Sequence, residues 1–109
     1  MATFHGLHIY EILENGNLLT GVFINTTKYS DIDSEIARKK DYDDKGVGGK
    51  YECRYINTSD PDTVTHCTLE ITKHNEVYEF VWTENGTIVY EGIGMKVGNN
   101  HIAVSYTKS

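Results

Sequence analysis

With 109 residues, 39% of them hydrophobic and 24% charged, and with eight Tyr, three Phe and one Trp, the chain has the composition of one globular domain rather than of a disordered segment. A formal charge of −6 without any Lys/Arg stripe argues against a nucleic-acid partner, because that binding rests on neutralising phosphates. No apolar run is long enough to span a bilayer, and the start of the chain lacks the continuous apolar stretch of a secretory signal, so no membrane partner and a cytoplasmic location are expected.

In chain order, Phe4 to Leu13 reads as a first strand and Asn17 to Thr26 as a second. Asn15-Gly16 between them supplies the positive φ angles of a hairpin turn. Ser30 to Lys40 then reads as one short helix inserted between strands two and three, with Ser and Asp suited to its start and Arg38, Lys39 and Lys40 to its end. The charged, Gly-rich stretch from Asp41 to Gly49 is expected to be a solvated connection, capping of a barrel mouth being the other reading. Asp41, Asp43, Gly46 and Glu52 match positions of a calcium-binding EF-hand loop. Lys45, however, stands where an oxygen ligand belongs and a strand follows, so no metal is assigned there.

Five further strands follow: Tyr51 to Ile56, Val64 to Thr72, Glu76 to Thr83, Thr87 to Val97 and His101 to Thr107. They are joined by turns near Asp60-Pro61, at His74-Asn75, at a second Asn-Gly (Asn85-Gly86) and at Gly98-Asn99-Asn100. The expected fold is all-β, an antiparallel up-and-down meander of seven to eight strands forming a small barrel over residues 1–109. Seven counted strands would leave a gap, filled by a missed strand or by a homodimer through an open strand edge. Cys53 and Cys67 fall opposite each other across the Asp60 hairpin and are expected to be reduced buried thiols, a bridge being the alternative.

Period-two alternation places Tyr51, Cys53 and Tyr55 on one side of the sheet, with Cys67, Leu69 and Ile71, then Tyr78, Phe80 and Trp82, then Ile102, Val104 and Tyr106. Gly92 and Gly94 read as a bend or bulge. On the first strand, Glu11 shares a face with Leu7 and Ile9, which makes it the acid–base candidate if that face is interior. The candidate ligand-binding set is Tyr51, Tyr55, Tyr78, Trp82, Tyr90 and Tyr106, since every buried phenol needs a partner and a barrel this size either fills itself or holds one small ligand. His5 and His8 point to opposite faces, and His66, His74 and His101 are scattered, so no metal or cofactor is expected.

Gly49-Lys50-Tyr51, Tyr78-Glu79-Phe80-Val81-Trp82, Gly92-Ile93-Gly94-Met95 and Ala103-Val104-Ser105-Tyr106 together resemble small bacterial barrel domains with a lipocalin-like or avidin-like (calycin-type) meander. The resemblance covers the second half of the chain and implies the fold. It implies no ligand, because the N-terminal Gly-x-Trp of lipocalins is absent and a single Trp cannot line an avidin-type biotin site. Binding of a small apolar or aromatic ligand inside the barrel is the first functional expectation. An acidic protein–protein interaction or inhibitor module with a filled barrel is the second, and an enzyme using Glu11 the third.

Overall fold

A computed structural model describes residues 3–109. Its strands are β1 (Gly6–Leu13), β2 (Leu18–Asn25), β3 (Lys28–Lys39), β4 (Gly49–Asn57), β5 (Asp60–His74), β6 (Val77–Glu84), β7 (Thr87–Val97) and β8 (His101–Lys108). Each pairs antiparallel with the next, and β1 pairs with β8, so the up-and-down meander closes into an eight-stranded barrel. Closure pairs every strand on both sides, and the open edge expected from seven strands does not exist.

The missing strand is β3, over the stretch that reads as a helix. Ile32 and Ile36 are four residues apart, an interval that puts them on one face of a helix and equally on one face of a strand. Pairing decides between the two. β3 lies between β2, with Leu19 opposite Ala37, and β4, with Ala37 opposite Cys53, and without it neither neighbour could complete its ladder. Its inward positions are Asp33, Glu35, Ala37 and Lys39, all buried, so the usual apolar signature of an inner face is inverted here.

Turn chemistry behaves as the sequence suggests, with adjusted lengths. Asn85 and Gly86 (φ 50° and 81°) make the tight hairpin between β6 and β7. The first Asn-Gly belongs to a longer loop, Glu14 to Asn17, containing a 3-10 turn, and the β4–β5 turn falls at Thr58-Ser59, just before Asp60. The irregularity in β7 sits at Val89, skipped between the Trp82–Tyr90 and Thr83–Ile88 pairs, and not at Gly92 or Gly94. Those two glycines face inward and leave room for Phe80, Val104 and Tyr106.

The two ends of the barrel differ. The end bearing the long β3–β4 connection is plugged: residues 41–48 fold across it, correcting the expectation of a solvated loop. Val47 is buried there, and the hydroxyl of Tyr51 lies 2.6 Å from the Gly16 carbonyl and 2.5 Å from the Val47 carbonyl. Lys39, buried, donates to Asp43 Oδ1 at 2.9 Å and to the Gly46 carbonyl at 2.5 Å. The buried Asn17 amide donates to the carbonyls of Asp43 and Glu14 and accepts from the Asp43 N–H, tying the loops of this end together. The EF-hand-like positions are thereby put to other use: Asp43 holds Lys39, and Glu52 sits outward on β4 opposite Arg38.

Removing a side chain that satisfies several buried backbone groups costs about 1–3 kcal/mol per group left unpaired. Asn17→Ala is therefore expected to lower the denaturant-unfolding free energy by about 2–3 kcal/mol. A loss below about 0.5 kcal/mol, the range of an ordinary surface change, would contradict the plugged-end account.

Candidate functional site

The open end carries the other side of the meander, with the turns at residues 26–27, 58–59 and 85–86. A cavity of about 330 Å³ descends from it into the barrel. Its walls are aromatic, with Phe23 from β2, Tyr55 from β4, Trp82 from β6, Tyr90 from β7 and Tyr106 from β8. Tyr106 meets Tyr90 edge-to-face at 5.6 Å and Trp82 at 5.7 Å, and Phe23 meets Tyr55 at 5.9 Å, so the rings brace one another.

Its deepest groups are polar. Glu35 is 2% exposed and reaches into the centre from β3. Tyr10 donates its hydroxyl to Glu35 Oε2 at 2.5 Å, and His8 donates Nε2–H to Oε1 at 3.1 Å. Burial, and then the adjoining Glu35 charge, hold the Tyr10 phenol protonated well above the ordinary tyrosine range, which keeps it a donor. His8 stacks on Tyr10 at 3.9 Å and on Phe23 at 5.2 Å. It crosses from β1 to β3 over Gly21, where a Cβ would lie 2.3 Å from His8 Cε1, so only glycine at that position of β2 lets the ring reach Glu35. Nearer the mouth, Asp33 accepts from the Thr58 N–H at 2.9 Å and stands 3.6 Å from Lys28, while Glu84, half-buried, completes the rim.

The sequence-derived aromatic set divides between the two ends. Tyr55, Trp82, Tyr90 and Tyr106 line the cavity, while Tyr51 belongs to the plugged end and Tyr78 packs in the filled core, neither of them reaching the cavity. His8, Phe23, Lys28, Asp33, Glu35 and Glu84 are among the lining residues that sequence reasoning missed. On β1, Gly6, His8 and Tyr10 point inward and Leu7, Ile9 and Glu11 outward, so the condition that made Glu11 the acid–base candidate fails and its side chain is exposed. Cys53 and Cys67 face each other with sulfurs 3.0 Å apart and are free. The hydrogen bond shared with Cys67, then burial, push the Cys53 thiol up, the reverse of what a nucleophile needs. Among the described residues, no three His, Cys, Asp or Glu side chains gather as metal ligands do.

Three buried polar atoms find no partner among the described residues: His8 Nδ1, Tyr55 Oη and Trp82 Nε1. All three belong to side chains that line this one cavity. Buried polar groups are nearly always paired with protein or water, so three unpaired ones on side chains around one cavity set it apart from the rest of the interior. Compared with protein-family models, with curated proteins and with solved structures, the chain matches none of them.

Burial also sets a pH window. Tyr106 is pushed up to about 12, chiefly by desolvation, and burial shifts Tyr10, Tyr51 and Tyr55 in the same direction. Below about pH 10, the ordinary tyrosine value, folded and unfolded chains both keep these protons and stability is intact. Above it the unfolded chain ionises first, so the denaturation midpoint should fall steadily toward pH 12 while the buried phenols stay protonated in the native absorbance spectrum. A midpoint flat over that window would contradict the burial of these rings.

Proposed function

We propose that this protein is a small-molecule carrier or sensor that takes one ligand with an aromatic or other flat apolar part into the open end of the barrel. The observation that carries the reading is the coincidence of the unpartnered His8, Tyr55 and Trp82 atoms with a single aromatic-walled cavity. A flat ring entering between Trp82, Tyr106 and Phe23 would be desolvated on both faces, while polar atoms on its edge would reach the Trp82 N–H and the Tyr55 hydroxyl. An eight-stranded meander with ligand space at one end is the arrangement of lipocalins and avidins, and the proposal extends that likeness to this chain. Two free thiols accord with a reducing, cytoplasmic setting.

Trp82 is the sole tryptophan and stands in the cavity wall, so its emission reports on the site. Native mass spectrometry of protein taken directly from its host should show an added mass that denaturation releases, and that release should shift Trp82 emission. Trp82→Phe keeps an aromatic face of reduced area and removes the donor, and is expected to weaken retention by at least about 1 kcal/mol, roughly fivefold. Absence of any adduct, with Trp82 emission indifferent to a broad library of aromatic compounds, would contradict the proposal.

A further inference from the structure

We propose, building on the binding reading above, that the ligand is a protonated aromatic amine carrying an oxygen acceptor. The cavity is lined by three carboxylates, Asp33, Glu35 and Glu84, and by one permanent cation, Lys28. That cation is already committed, with Lys28 Nζ 3.2 Å from Asp31 and 3.6 Å from Asp33. Among the described residues no Lys or Arg nitrogen comes within ion-pairing distance of Glu35 or Glu84, and the partners of Glu35 are His8, Tyr10 and the Cys53 thiol.

Two carboxylates therefore face one aromatic chamber without a permanent counter-cation, one at its floor and one at its rim. A carboxylate shielded from water by low-dielectric walls attracts a cation far more strongly than one in bulk solvent. The Trp82, Tyr90 and Tyr106 rings add to that attraction, because their π faces favour an ammonium group. An anionic ligand would meet repulsion from both ends of the chamber. The oxygen is proposed to satisfy Trp82 Nε1, a buried donor that cannot accept and has no partner among the described residues.

The test compares tyramine, its uncharged isostere 4-(2-hydroxyethyl)phenol and the acid 3-(4-hydroxyphenyl)propionate by calorimetry, with Trp82 emission as the second readout. Tyramine is expected to bind at least about tenfold more tightly than the alcohol, the scale of one charge-assisted hydrogen bond, and the acid more weakly than either. Glu84→Gln, at the rim, should shrink the tyramine-over-alcohol ratio several-fold. Equal binding of amine and alcohol, or tighter binding of the acid, overturns the amine inference and leaves the cavity reading in place. Failure of all three compounds to bind or to alter Trp82 emission overturns this inference, whereas an unrelated adduct in native mass spectrometry would still uphold the cavity reading.

Discussion

Glu35 is the residue on which the interior is organised. Moving a carboxylate out of water costs several kcal/mol, and the cost is met here by two charge-assisted hydrogen bonds, from Tyr10 and His8, each contributing about 1.5–3 kcal/mol. Those bonds need a flat ring to pass over β2, which requires the missing side chain at Gly21. Three neighbouring strands are thus tied together by a polar contact. Above this contact the space stays open, because the aromatic rings around it brace one another and do not collapse onto the carboxylate.

The opposite end shows how a similar barrel section is filled. There Lys39 is equally buried, but its charge is met by Asp43 from the loop that folds over the mouth, and Val47 and Tyr51 occupy the remaining volume. The paired charge closes that end. At the open end no Lys or Arg meets Glu35, and the chamber above it is empty of protein atoms. The contrast gives the barrel a direction, with one sealed end and one open end.

The second half of the chain was legible because its strands alternate cleanly. Tyr78, Phe80 and Trp82, and Ile102, Val104 and Tyr106, face inward as the period-two pattern requires. The first half was not, for two physical reasons. On β1 both faces carry apolar residues, so Leu7 and Ile9 outweigh His8 and Tyr10 in any hydropathy pattern, although they are the exposed ones. On β3 the inner face holds Asp33, Glu35 and Lys39, so a rule that sends charges outward fails where the barrel is built to keep them inside. The alternation also tells which side a residue faces and not how far along the axis it lies. Tyr51 and Tyr55 share a face, yet one helps to seal the floor and the other lines the chamber. That distinction arises only once the register with β3 and β5 is known.

The barrel keeps an open chamber above Glu35, walled by side chains that carry three polar atoms without a partner among the described residues. A crystal structure at a resolution that places waters would test it most directly. The account predicts ordered water or a bound molecule hydrogen-bonded to Trp82 Nε1 and Tyr55 Oη, with Tyr90 and Tyr106 standing back against the wall. Tyr55 and Tyr90 folded into the chamber, filling it and bonded to protein groups, would contradict it.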